Sequence, residues 1–477
     1  MFVLETVLTD GIAQLSYLLA DTETGIAAVI DPRTDVEIYE ELARKHSVSI
    51  THIFETHIHA DFVSGSRSLA ERIGTANVYV SGVKSGYKFD ASEVADKQHF
   101  DFGTFILETR HTPGHTEEHL SFLLYESKEP EQPWAVFSGD SLFVGSAGRP
   151  DILGAGKADK LAKQLYETLY DFYLKLDDFV TVFPGHGTGS ACGADIGDRL
   201  TSTIGYERRT NKFLSFSDFE SFRKFVIDDA PPVPQHYPEL KKVNAKGADI
   251  MDRLPTMRAL PPEEFQKAMR ESDVTLIDTR SILAFGGGHV GGAINVADRP
   301  EMSAWVGQMF DLDQRLLLIV DNDTDVERIQ RLIVRSGHSK FAGFLAGGMK
   351  AWEMAGLPLE QRHEMPVQEL RQHQQGDSEL VILDVRSPDE WEAGHVPGAQ
   401  HYFIGDMRDK IKGLDKHAHY ATYCASGYRA SIASSLMMSR GFKHVSNVPG
   451  SWSAWTAAGY PREEENKKAK EKVKQNA

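Results

Sequence analysis

The densest chemistry in this sequence lies in THIHADF, Thr56–Phe62, which sets His57, His59 and Asp61 at alternate positions. A β-rich run precedes it. In extended chain side chains alternate with a period of two, so these three are expected to point the same way. Two imidazoles and a carboxylate converging at a strand end begin a metal cleft. Three more ligand-type residues follow in glycine-rich turns: His115 in TPGHT, Asp140 in FSGD and His186 in FPGHG. Glycine at such turns lets backbone approach a metal or substrate closely. Taken singly, each reads as a loop histidine or aspartate capping a turn; the ordered set points to a metal centre.

A second chemical signal is YCASGYRAS, Tyr423–Ser431. The β-type run HYATYC ends in Cys424, and a short loop leads into the helix-like ASIASSLMMSRG. Backbone N–H groups of such a loop converge into an anion nest, and a following helix N-terminus adds positive potential. Both lower a thiol pKa and stabilise a thiolate or a bound persulfide. Arg429 can close the loop electrostatically. The only other cysteine, Cys192, sits in the glycine-rich GTGSACG just after His186.

Strands and helices must carry these groups. Short β-rich runs such as IAAVID (Ile26–Asp31), SITHIFETH (Ser49–His57) and WAVFSGD (Trp134–Asp140) alternate with turns, and DKLAKQLYETLYDFYLKL (Asp159–Leu176) has helical periodicity. The mixture argues for an α/β sandwich. APPVPQHYPELKK (Ala230–Lys242) reads as an extended surface segment. Beyond it the chain repeats itself. LIDTRSILAFGGGHVGGAIN (Leu276–Asn295) aligns with LDVRSPDEWEAGHVPGA (Leu383–Ala399), and GGMKAWEMAGLP (Gly347–Pro358) with GSWSAWTAAGYP (Gly450–Pro461). A repeat of about 105 residues means two tandem copies of one small doubly wound α/β domain rather than a solenoid. The expected divisions are 1–254, 255–361 and 362–465, followed by a charged tail, 466–477.

The 477 residues are 41% hydrophobic and 25% charged, ordinary for a globular chain of about three domains. A net charge of −17 gives no general attraction to nucleic acid or acidic lipid. No apolar run reaches the roughly 20 residues that span a bilayer, and the N-terminus lacks a basic leader. Two distant cysteines form no disulfide framework and suit a reducing compartment, so a cytoplasmic location is expected. The Lys-rich end reads as a solvated tail.

The order His-x-His-x-Asp, Gly-His, Gly-Asp, Gly-His resembles the metallo-β-lactamase superfamily over about the first 190 residues. That resemblance implies an αββα sandwich with a metal at one edge. Members include zinc hydrolases of the glyoxalase II type and iron-dependent persulfide dioxygenases, so the fold alone does not choose the chemistry. Dinuclear hydrolases of this superfamily carry a histidine directly after the motif aspartate. Here that position is Phe62, which has no lone pair to offer a second ion. Resemblance to the dioxygenases implies one Fe(2+) per chain, held by His57, His115 and Asp140 in a two-histidine, one-carboxylate facial triad. His59, Asp61 and His186 would then orient ligands or water. SAGRPD (Ser146–Asp151) resembles the Gly-Arg motif of those enzymes, which implies that Arg149 meets an anionic part of the thiol carrier; the other reading pairs it with Asp151. Cys192 is read either as a sulfur-handling substrate residue or as a small buried one. Glutathione-using relatives carry a tyrosine soon after the last motif histidine, where this chain has Gly187 and Thr188. Persulfides of coenzyme A or bacillithiol therefore stand beside glutathione as candidates.

YCASGYRAS resembles the rhodanese active-site loop, Cys-x-x-Gly-x-Arg, and the resemblance extends through DVR (Asp384–Arg386) and GHVPGA (Gly394–Ala399). It implies sulfur transfer by Cys424 with Arg429, while Asp384, Arg386 and His395 read as scaffold. In the first copy VDNDTDVER sets Asp321 where Cys424 stands and Val326 where Arg429 stands, an inactive copy. The whole layout resembles bacterial persulfide dioxygenase–sulfurtransferase fusions of sulfide detoxification. It implies a low-molecular-weight persulfide and dioxygen as substrates and sulfite and thiosulfate as products, in a homo-oligomer. The alternatives are a zinc-dependent, glyoxalase II-like thioester hydrolase with a rhodanese passenger, and a sulfur-binding sensor without turnover.

Overall fold

The computed structural model describes residues 1–83, 86–152, 154–228, 232–376 and 379–464. The Lys-rich tail lies outside them. The chain divides into two compact units, Met1–Leu254 with Arg331–Gly337, and Pro255–Gln330 with His338–Ala477. No helix among the described residues is long and apolar enough to cross a membrane.

In the first unit, one sheet takes β1 (Phe2–Thr9), β2 (Gln14–Asp21), β3 (Ile26–Ile30), β4 (Ser49–Phe54), β5 (Asn77–Ser81) and β6 (Ser92–Val94) in sequence order. Its β1–β3 pairings are antiparallel and the rest parallel. The second sheet runs β14-β13-β10-β9-β8-β7. Its members are β7 (His99–Asp101), β8 (Phe105–His111), β9 (Leu120–Glu126), β10 (Ala135–Gly139), β13 (Thr181–Pro184) and β14 (Ser202–Thr203), with a small hairpin of β11 (Leu142–Phe143) and β12 (Ser146–Ala147) beside it. β2 is buried at every position, as a strand covered on both faces must be. Leu15, Tyr17 and Leu19 of β2 meet Phe105, Phe122 and Phe137 of the other sheet in one apolar cluster. Helices cover both outer faces: Tyr39 and Leu69 pack on the first sheet, Ala162 and Leu165 on the second. The order αββα follows, as expected.

The periodic segment Asp159–Leu176 is helical from Ala155, widens into a π-turn and then tightens into a 3-10 turn. Of Ala230–Lys242, Ala230 and Pro231 lie outside the described residues, and the end of the segment departs from expectation. From Tyr237 it is a helix, Tyr237–Lys246, that buries Tyr237, Leu240 and Asn244. Pro238 occupies the first turn, where a missing N–H costs nothing, so it starts this helix rather than breaking it.

The second unit holds two five-stranded sheets, each wholly parallel. One has the order β15-β19-β18-β16-β17 and the other β20-β24-β23-β21-β22, the same order when each copy is numbered by itself. Their ranges are β15 (Ala259–Leu260), β16 (Val274–Asp278), β17 (Ile294–Asn295), β18 (Arg315–Ile319) and β19 (Phe341–Leu345), then β20 (His363–Glu364), β21 (Val381–Asp384), β22 (Gln400–His401), β23 (His419–Tyr423) and β24 (His444–Asn447). The repeated motifs have matching structural duties. Arg280 forks onto Asp278 and reaches the Gly288 carbonyl; Arg386 forks onto Asp384 and reaches that of Gly394. Trp352 donates to the carbonyl of Pro358 at 2.9 Å, and Trp455 to that of Pro461 at 2.8 Å. His289 and His395 each donate from Nδ1 to a carbonyl four residues back and stack on its ring.

Arg386 and Asp384 are 2% and 0% exposed, so removing one partner strands the other in a poor solvent. Arg386→Leu is expected to destabilise the second unit by about 3 kcal/mol, read from its urea midpoint.

Candidate metal centre and cysteine loop

β4 ends at Phe54, and Glu55–Ser64 turns away from extended geometry. The period-two expectation therefore fails. His57 joins His115 and Asp140, Asp61 joins His186, and His59 turns to Asp31. A loop, unlike a strand, sends successive side chains in unrelated directions. His115 comes from the turn between β8 and β9, Asp140 directly follows β10, and His186 follows β13. Glycines make this convergence possible. Gly139 has φ +49°, and a Cβ there would lie 2.7 Å from His119 Nε2; a Cβ on Gly185 would lie 2.5 Å from Asp140 Oδ1.

Hydrogen bonds set the tautomers. Thr56 donates its hydroxyl to Asp31 at 2.8 Å, so its oxygen is left to accept from His57 Nδ1 at 2.9 Å. His115 Nδ1 donates to the Arg149 carbonyl at 3.1 Å. Both imidazoles thus turn unprotonated Nε2 atoms toward Asp140 Oδ2, at 3.8 and 3.6 Å. His57 Nε2 and Asp140 Oδ2 are buried and have no hydrogen-bond partner. Buried lone pairs left unanswered are what a cation would satisfy, so this trio fits a metal ion. Burial lowers the pKa of His57 and of His115, which keeps both neutral.

Around this trio His119 and His186 are occupied, whereas both His59 nitrogens and Asp61 Oδ1 are buried without a hydrogen-bond partner. His119 accepts from the Asp140 N–H through Nε2 at 3.0 Å and meets Thr112 through Nδ1 at 2.8 Å, leaving no lone pair for a metal. His186 donates to Asp140 Oδ1 and Asp61 Oδ2, both at 2.7 Å. Burial opposes its charge, but the two carboxylates outweigh burial and raise its pKa well above the ordinary histidine value. His59 Nε2 lies 3.1 Å from Asp31, and its ring packs 4.4 Å from that of Phe62, which is 1% exposed. Asp61, His186 and Cys192 also form a compact group. The Cys192 thiol is held protonated there, its pKa raised by burial and by Asp61 and Asp140. That environment is the opposite of one that activates a nucleophile. Arg149 gives Nε and Nη2 to Asp151, both at 2.7 Å, which is the structural pairing and leaves its fork committed.

Asp31, His119 and Asn244 complete the site without having been singled out by sequence. Asn244 donates to the His59 and Phe62 carbonyls at 2.8 and 2.7 Å and accepts from the Ser64 N–H at 3.0 Å, pinning both ends of the histidine loop. The only sequence signal was for Asp31, a carboxylate closing a buried strand. Nothing marked Asn244, which is brought in from 180 residues downstream of Ser64.

In the second unit, Cys424 follows β23 and is 1% exposed. Its N–H donates to Ser451 Oγ at 3.0 Å, and the Gly427 N–H points to its Sγ at 3.1 Å. Gly427 has φ +97°, and a Cβ there would strike the Pro449 carbonyl. The helix Tyr428–Ser439 begins immediately after. Arg429 forks onto Glu390 at 2.6 and 2.7 Å. In the first copy, strand register shifts the expected equivalence by one. Asp278 pairs with Ile319 as Asp384 pairs with Tyr423, so buried Val320, not Asp321, stands at the position of Cys424. The loop then runs six residues to its helix instead of four, which hid the register from a gapless alignment, and Val326 starts that helix as Tyr428 starts its own.

Sequence comparison agrees with this architecture. Residues 9–186 match the metallo-β-lactamase superfamily, and residues 261–355 and 366–458 each match the rhodanese-like domain. A crystal structure of a metallo-β-lactamase from Staphylococcus aureus subsp. aureus COL is 32% identical, with a TM-score of 0.65 over 72% of this chain and 99% of that one. The chain belongs to the metallo-β-lactamase superfamily. Fused to that domain are two rhodanese-like domains. Within the superfamily, a hydroxyacylglutathione hydrolase of Dictyostelium discoideum is 30% identical over 172 residues, 36% of this chain and 61% of the relative. The mitochondrial persulfide dioxygenase of Homo sapiens is 29% identical over 221 residues, 46% of this chain and 78% of that one. Identity does not separate the two chemistries; the site residues must.

Burial opposes ionisation of Glu390, yet the hydrogen bonds and charge of Arg429 hold its pKa at about 2 against an ordinary 4.5. A depressed carboxyl pKa contributes stability that is complete above the unfolded value and lost as pH falls through the folded one. Glu390→Gln is expected to flatten the decline of the second unit's urea midpoint between pH 4.5 and 2, compared with the wild type.

Proposed function

We propose that this chain is an iron-dependent persulfide dioxygenase joined to a sulfurtransferase, which oxidises a low-molecular-weight thiol persulfide and converts the sulfite to thiosulfate. The observation that carries the reading is the division of donors. His57, His115 and Asp140 turn open lone pairs to one point, His186 is held by two carboxylates, His59 Nε2 stands 3.1 Å from Asp31, and Phe62 sets a hydrocarbon ring beside them. Such a set suits one ion with two histidines and one carboxylate. Beside it Asp61, His186 and Cys192 form a second compact group, whose imidazole is engaged by Asp140 and Asp61.

Iron bound by these residues supplies a redox-active centre with positions left open for substrate. The overall change is R–S–SH + O2 + H2O → R–SH + SO3²⁻ + 2H⁺. Thr56 and the Arg149 carbonyl keep His57 and His115 in the ligating tautomer. His186 fixes Asp140 through Oδ1 and so leaves Oδ2 turned inward. Asn244 holds the loop that carries His57. Lys241, on the same helix as Asn244, stands 3.6 Å from Glu118, which accepts from the Ile58 N–H of that loop.

In the second unit the Cys424 thiolate attacks the sulfane sulfur of a persulfide, expelling R–S⁻ and leaving Cys424–S–SH. Sulfite then attacks that outer sulfur, releasing thiosulfate and the Cys424 thiolate. The Gly427 N–H aimed at Sγ and the start of the helix at Tyr428 favour sulfur in anionic form. Val320 has no nucleophile, so residues 255–361 are a catalytically inactive copy.

Oxygen uptake and product analysis of iron-loaded protein test this directly. The wild type is expected to consume oxygen on persulfides of coenzyme A, bacillithiol or glutathione and to accumulate thiosulfate. Cys424→Ser is expected to lose at least about 99% of thiosulfate formation while oxygen uptake persists and sulfite accumulates. Thioester hydrolysis without oxygen uptake on any persulfide would contradict the reading in favour of a zinc hydrolase.

A further inference from the structure

Helix Tyr237–Lys246 brings one more group to the metal centre besides Asn244. Lys241 Nζ is buried and has no hydrogen-bond partner, although the stem of the side chain remains 18% exposed. Its nearest carboxylate oxygen, Glu118 Oε1, stands 3.6 Å away and already accepts from the Ile58 N–H at 3.1 Å. Ile58 lies between His57 and His59, so Glu118 and Lys241 border the histidine loop itself. The charge of Lys241 acts on both His57 and His115. An ammonium out of contact with water, with one ion pair at 3.6 Å and no hydrogen bond, is incompletely compensated, and such a group is retained where a further anion comes to meet it. Arg149, the cation the sequence suggested for that duty, is forked onto Asp151.

We infer that Lys241 binds the sulfur-centred anion at the reacting end of the substrate, the persulfide as it enters and sulfite before it leaves. The inference rests on the dioxygenase reading and adds to it the group that recognises the reacting sulfur. Lys241 is a binding residue whose ammonium supplies up to three donors to oxygen or sulfur. The carrier's own carboxylate or phosphate is the other anion that could reach a lysine. Its distance from the reacting sulfur in a bulky carrier makes it the poorer match for a charge felt at the two metal-site histidines.

Calorimetric titration of sulfite into the iron-loaded full-length protein under nitrogen tests this, alongside inhibition by the free thiols coenzyme A and glutathione. Lys241→Met is expected to weaken sulfite binding at least about tenfold, as loss of a charge-assisted hydrogen bond does. Thiol inhibition should be unchanged, and Lys241→Arg should keep most of the sulfite affinity. Glu118→Gln removes the neighbouring negative charge and should tighten sulfite binding, an independent readout if the methionine variant does not fold. Unchanged sulfite affinity in Lys241→Met, or weakened thiol inhibition alone, would overturn the inference. In either case oxygen uptake by the wild type would leave the dioxygenase reading standing; a wild type that takes up no oxygen on any persulfide would sink that reading instead.

Discussion

Asp140 has two carboxylate oxygens, and the metal centre depends on how they are divided. Oδ1 accepts from His186, which in turn donates to Asp61, so one imidazolium is held between two buried acids. Oδ2 is left without a partner, facing the Nε2 atoms of His57 and His115. Isolated charges in such a place would be expelled or neutralised; pairing lets them stay. His186 is fully engaged by these two carboxylates. On the proposed reading one ion meets Oδ2, and Phe62 withholds a further donor.

On the proposed reading, the two halves of the chain answer one chemical problem with different means. A persulfide offers an electrophilic sulfane sulfur and an oxidisable one, which are the same atom. The first unit supplies neutral imidazoles and a carboxylate, suited to a metal that transfers electrons. The second supplies a thiol that accepts from the Gly427 N–H at the start of a helix, suited to moving sulfur without changing its oxidation level. The first copy shares the Arg–Asp fork, the stacked histidine and the tryptophan clasp of the second. It has Val320 where the second has Cys424, so these shared packing duties do not need the thiol.

Much of this could be read from residue order because each motif is local. His115, Asp140 and His186 each follow or precede a glycine that the turn demands, and Cys424 stands at a strand end before a helix. The tandem copies were visible because identical packing duties preserve identical residues at a fixed spacing. What escaped was whatever depends on distant chain. Asn244 and Lys241 reach the histidine loop only because Pro238 starts a helix, where a proline-rich stretch suggests extended chain. His59 and Asp61 were assigned one direction by a strand periodicity that ends at Phe54. Val320 was displaced by one position because the loop after it is longer than its counterpart, a difference that only strand register reveals.

Counting the metal in protein purified and loaded anaerobically with iron, and then with zinc, reaches the central claim most directly. One ion per chain, lost on replacing His115 or Asp140 by alanine and unchanged on replacing His59, is the result this account predicts. Two ions per chain, or one ion that survives loss of His115 and Asp140 but needs His59 or Cys192, would contradict it.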